Sequence, residues 1–99
     1  MVKLKVIWSK NGSLQLKESL EYLKEKLPKS ASKVKNEILK TARNLSDNPE
    51  IHSPDRFKKD NDGSFRAFEK YSYRVTYQVK KAQVVILRVR HTSREPLKH

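Results

Sequence analysis

Apolar and polar positions alternate from the first residues of the chain. Val2, Leu4, Val6 and Trp8 fall on one side of residues 2–8, with Lys3 and Lys5 between them, which predicts a half-buried strand. Asn11-Gly12-Ser13 breaks the alternation, and Ser13 is the expected N-cap of a helix. The period then changes. Leu16, Leu20, Leu23 and Leu27 recur at helical spacing and make one apolar stripe, which Pro28 is expected to end. A second helix is predicted from near Ser30. Ala31, Val34, Ile38, Ala42 and Leu45 line one side of it, and Asn48-Pro49 stops it. Two helices joined by so short a turn form an antiparallel hairpin.

Residues 49–64 are polar and rich in turn formers, with Pro49, Pro54 and Asp62-Gly63. Three further strands are predicted, at about 65–70, 73–79 and 83–91. In the second of these, Tyr73, Val75, Tyr77 and Val79 share one face and Arg74, Thr76 and Gln78 the other. In the last, strict alternation places Val85, Leu87, Val89 and His91 toward the helices. Val84, Ile86, Arg88 and Arg90 take the opposite side. The tail from Thr92 to His99 is expected to be irregular. The order β-α-α-β-β-β predicts a single α+β domain over residues 1–99: an N-terminal strand, a helical hairpin, then an antiparallel sheet of three strands with both helices on one face. Arg74, Arg88 and Arg90 would then stand together on the uncovered face.

Charge sharpens this picture. The formal net charge is +12, from 23 Lys and Arg against 11 Asp and Glu. Residues 1–64 carry +5 of it and the shorter stretch 65–99 carries +7, so the C-terminal third is the stronger electrostatic feature. A domain this basic attracts polyanions or an acidic protein. Cysteine is absent, which excludes disulfides, thiolate metal sites and a Cys nucleophile. No metal or cofactor is expected. Lys3 and Lys5 interrupt any apolar leader, and no apolar run nears the roughly 20 residues of a membrane span. A cytoplasmic protein without membrane attachment is expected.

Several pieces of the chain together resemble the RelE/ParE superfamily of bacterial toxins. They are a first strand ending in Trp8-Ser9, two short helices, Phe57-Lys58 ahead of the Gly63 turn, Tyr73-Arg74-Val75-Thr76-Tyr77-Gln78-Val79, and the closing Leu87-Arg88-Val89-Arg90-His91. The resemblance implies a RelE/ParE-like fold, a toxin of a type II toxin–antitoxin system that inhibits growth, and a cognate antitoxin as partner. It implies two targets for two branches. RelE-like members cut mRNA on the ribosome as metal-independent endoribonucleases, and ParE-like members inhibit DNA gyrase without chemistry of their own. Ribosome-dependent mRNA cleavage is the preferred expectation and gyrase inhibition the alternative.

Metal-independent RNA cleavage needs a base for the 2′-OH, cations for the phosphorane and an acid for the leaving oxygen. The resemblance places Arg74 on the scissile phosphate, Lys58 along the active site and Asp55 where one branch has a glutamate base. His91, at the end of the last strand, is the candidate for proton transfer. Arg66, Lys59, Arg88 and Arg90 are the further candidates for RNA or phosphate contact, with Arg56 beside Lys58 and Lys59 in one basic cluster. Each has a structural alternative. Arg74 can form a salt bridge across the sheet, to Glu69 for example; His91 can cap the core; the basic loop can be solvated. The parity of Arg66 is open, as are the role of His99 and that of Tyr71. His52 is given no role. On this reading Arg74→Ala should abolish growth inhibition and leave the domain folded.

Overall fold

The computed structural model describes residues 3–92. Strand β1 spans Lys5–Trp8, helix α1 Lys10–Lys26, helix α2 Pro28–Asn44, and strands β2, β3 and β4 span Phe65–Lys70, Tyr73–Val79 and Gln83–His91. The expectations for Val2 and His99, and for the tail beyond Thr92, lie outside the described residues. Neither helix is long and apolar enough to cross a membrane.

The helix boundaries correct two expectations. α1 is capped by Ser9, not Ser13: the Ser9 hydroxyl accepts from the Gly12 backbone N–H at 2.9 Å, so Asn11-Gly12-Ser13 lies inside the first turns. Pro28 begins α2 at its first position, where the missing N–H costs nothing, and a single non-helical residue, Leu27, links the helices. Leu27 therefore leaves the apolar stripe and is exposed. The remaining stripe holds, with Leu16, Leu20 and Leu23 packed against the core and Val34, Ile38, Ala42 and Leu45 buried in it.

The sheet order is β1-β4-β3-β2. The three later strands are antiparallel, as expected, while β1 adds to the far side of β4 in parallel, so the sheet is mixed. The helical hairpin between β1 and β4 supplies the crossover a parallel pair needs. Ser46 ties the end of α2 to the start of β1, its backbone and hydroxyl both bonded to Leu4.

Strict alternation along β4 does not survive. Val75 pairs with Val89 and Thr76 with Arg88, but Tyr77 pairs with Ile86, leaving Leu87 as an extra residue on β4. This β-bulge inverts the parity of everything before it. Val84 and Ile86, expected on the outer face, are fully buried against the helices, and Val85 and Leu87 are not. Val89, His91, Arg88 and Arg90 keep the expected sides because they follow the bulge.

The turn-rich segment before β2 wraps the edge of the sheet. On the helix side, Tyr77 donates its hydroxyl to the Pro49 carbonyl at 2.9 Å, and the His52 ring packs on Phe68 at 5.2 Å. At the edge, Pro54 bridges to Arg66. Beyond it the chain crosses to the other face, where Asp55 and Phe57 lie over β3. Burial of His52, with the Lys70 charge nearby, lowers its pKa from the ordinary value of 6.5. A histidine lowered in this way contributes stability that is fully present above pH 6.5 and lost as pH falls below it. Thermal unfolding followed from pH 8 to 5.5 is expected to show that decline, and His52→Phe is expected to flatten it. An equal slope in both proteins would refute the assignment.

Candidate functional site

Strand pairing decides which candidates can meet. On the face away from the helices, Glu69, Arg74 and Arg90 form one cross-strand row, and Ala67, Thr76 and Arg88 form the next. Arg74, Arg88 and Arg90 are thus on one face, as the sequence predicts. Arg66 is not. It pairs with Tyr77 on the helix side and reaches the loop carbonyls of His52 at 2.7 Å and Glu50 at 3.3 Å, which holds the wrapping segment in place.

The segment after the sheet edge covers the β2–β3 side of this face. Asn61 organises it, with its amide oxygen accepting from the Gly63 and Phe65 backbone and its amino group donating to the Asp55 and Phe65 carbonyls. The fold carries Asp55 into a buried position directly beside Arg74. Arg74 donates Nη2 to Asp55 Oδ1 at 2.7 Å and Nη1 to Glu69 Oε2 at 2.9 Å. The Phe57 backbone N–H also donates to Asp55 Oδ1, at 3.0 Å. A fully buried carboxylate costs several kcal/mol in lost hydration, and these donors offset it. The Phe57 ring lies 4.9 Å from the Arg74 guanidinium and 4.8 Å from that of Arg56. One arginine is thereby neutralised twice and packed against an aromatic ring.

Other cations are placed around this pair. Lys58 lies over the Phe65 ring at 4.7 Å, at the margin where Lys59 and Arg56 also lie. Arg88 and Arg90 occupy the β4 side, and among the described residues neither has an ion pair. Among the described residues, Arg90 Nε and Arg66 Nε are buried without an acceptor.

His91 is on the opposite side of the sheet. It pairs with Tyr73, whose ring it meets edge-on at 5.1 Å. With Arg90 they border a polar cavity of about 600 Å³ shared with Gln15, Glu18 and Tyr22 of α1. The structure therefore brings together Asp55, Arg74 and Lys58, with Lys59, Arg88 and Arg90 around them, and separates His91 and Arg66 from that group. The Asp55–Arg74 contact had no signal in the sequence, because it depends on the path of a loop with no periodicity. Phe57 and Phe65 as seats for cations were equally hidden.

A separate feature lies between the helices. Trp8, Leu16, Leu20, Ala31 and Leu39 line a mainly apolar groove of about 520 Å³, with Lys17, Lys24 and Lys35 on its margin beside Glu21.

Residues 6–96 match the sequence model of the ParE toxin of the type II toxin–antitoxin system parDE. The chain belongs to the ParE toxin family. It is thus a toxin of a type II toxin–antitoxin system. No curated protein matches the sequence. Among solved structures, the ParE fold is similar to a chain of the chromosomal ParDE toxin–antitoxin system from P. aeruginosa. That match has 15% identity over 90% of this chain and 96% of the other, with a TM-score of 0.70. A chain of the toxin–antitoxin complex RelBE2 from Mycobacterium tuberculosis aligns at 24% identity over 92% and 93%, with a TM-score of 0.60. The YoeB dimer from Staphylococcus aureus aligns at 18% over 91% and 98%, with a TM-score of 0.52. At these identities the likeness is one of fold.

Proposed function

We propose that this ParE-family toxin acts by binding DNA gyrase and blocking it, without cleaving RNA. The observation that carries the reading is the state of Arg74. The single charge of Arg74 is already met by two carboxylates, one at each terminal nitrogen, which weakens its attraction for a phosphate. The second support is distance in the fold. The imidazole that would move protons stands on the other side of the sheet from Arg74, whereas general acid–base work needs groups within one hydrogen bond of the reacting atoms. A surface that binds has no such requirement. Asp55, the candidate base, is buried in the same ion pair and serves the fold.

The partner expected to neutralise the toxin is its antitoxin, and the groove between the helices is the apolar surface suited to one. Lys17, Lys24 and Lys35 on its margin favour an acidic amphipathic segment.

A supercoiling assay tests both parts. Purified toxin added to gyrase and relaxed plasmid is expected to stop supercoiling, while mRNA in a translating extract stays intact by primer extension. Antitoxin should restore supercoiling, and less so for a Lys24→Glu/Lys35→Glu toxin. New mRNA ends at ribosome-engaged codons, with supercoiling unaffected, would overturn the proposal in favour of the nuclease.

A further inference from the structure

We propose that the sheet face away from the helices binds double-stranded DNA directly, through the phosphate backbone. Its placement at the DNA that gyrase handles rests on the reading above; the binding itself does not.

Cations outnumber carboxylates on this face. Arg56, Lys58, Lys59, Arg74, Arg88 and Arg90 all belong to it or to its margin, against Asp55 and Glu69. Both of those carboxylates are committed to Arg74. Asp60 and Asp62 lie further out in the turn before β2, where Asp62 accepts from the Ser64 hydroxyl at 2.6 Å. Among the described residues, the cations left without an ion pair lie at two margins, Arg56, Lys58 and Lys59 on one and Arg88 and Arg90 on the other.

The ladder adds a constraint. Arg74 and Arg90 are directly opposite each other on neighbouring strands, an arrangement that like charge disfavours. Asp55 and Glu69 relieve it at Arg74, and no residue described relieves it at Arg90. Arg88 and Arg90 are two residues apart on one strand, so their side chains leave the sheet in parallel. They present a pair of guanidiniums to an extended anion.

The chemistry of the face selects duplex DNA over single-stranded RNA. Proteins that hold single strands stack bases on aromatic rings. The aromatic rings of this face, Phe57 and Phe65, already carry Arg56, Arg74 and Lys58. The groups that remain are charged donors, which position a protein on the backbone and read no sequence. A net charge of +12 strengthens that attraction at every orientation of approach.

The test is fluorescence anisotropy of the full chain titrated into a short labelled duplex between about 50 and 200 mM salt. Arg88→Ala/Arg90→Ala is expected to weaken binding at least tenfold and to reduce the salt slope by about 1.8, at about 0.9 per phosphate contact. Arg88→Lys/Arg90→Lys should retain the slope. Lys29→Ala/Lys40→Ala, on the helix side, should change the affinity less than twofold. Should the alanine pair fail to fold by circular dichroism, Arg88→Gln/Arg90→Gln takes its place with the same expected loss. Unchanged affinity and slope in a folded neutral pair would overturn the proposal. So would an equal loss in the helix-side pair, or tighter binding of single-stranded RNA of the same length. Supercoiling inhibited by a toxin that binds no duplex would sink this proposal alone. Duplex binding by a toxin that leaves gyrase untouched would sink the gyrase reading and uphold this one.

Discussion

Arg74→Ala is expected to destabilise the domain by about 3–5 kcal/mol, the range found when one partner of a buried ion pair is removed. The loss falls on Asp55. Its side chain is 0% exposed, and losing Arg74 takes away the guanidinium bonded to its buried charge at 2.7 Å. Glu69 is half exposed and can return to water, so it adds little to the loss. A margin of roughly 5–15 kcal/mol is typical of folded domains, so the substitution takes a large share of it. Urea unfolding should show a lower midpoint with an unchanged slope. Arg74→Met combined with Asp55→Leu should recover much of the difference, because no charge is then stranded. A single mutant within about 0.5 kcal/mol of the wild type, the usual span of surface substitutions, would show that the pair contributes nothing to the fold. The result bears on function. Loss of growth inhibition in Arg74→Ala cannot by itself identify a phosphate ligand, contrary to the expectation drawn from sequence, since an unfolded toxin is also inactive.

Gly12→Val is expected to cost about 3 kcal/mol, the upper end of overpacking penalties. It should lower the melting temperature by roughly 12–24 °C at the 4–8 °C per kcal/mol of a domain this size. The first turn of α1 lies across β4, with the Ser9 N–H bonded to the Ile86 carbonyl at 2.9 Å. A Cβ on Gly12 would sit 2.7 Å from that same carbonyl oxygen. Both sides of the clash are backbone, so no rotamer change relieves it, and valine adds two methyls to it. Gly12→Ala isolates the sign. In an exposed helix that change stabilises by up to about 1 kcal/mol, whereas here it is expected to destabilise. A more stable alanine variant, by calorimetry, would show that the helix can shift away from the strand at little cost.

Much of this protein is written in its local pattern. A period of two followed by a period near 3.6 determined the strand and both helices, because burying a stripe or a face is the main source of stability for each element. The same local patterns carry the family motifs, among them Tyr73 to Val79 and the close of β4. Composition determined the chain's own strong positive charge. Three features were settled only in the folded chain. Parity along β4 depended on one bulged residue, Leu87, which leaves no mark on the hydrophobic pattern because both of its possible faces are apolar. The side taken by Arg66 depended on its register with Tyr77 and on carbonyls supplied by residues 50 and 52. The state of Arg74 depended on Asp55, nineteen positions away, delivered by a loop whose path Asn61 fixes. Sequence can place a guanidinium on a face, since alternation is a property of neighbours. Whether that guanidinium is open to a ligand or already paired is a property of distant residues, and only the tertiary structure decides it.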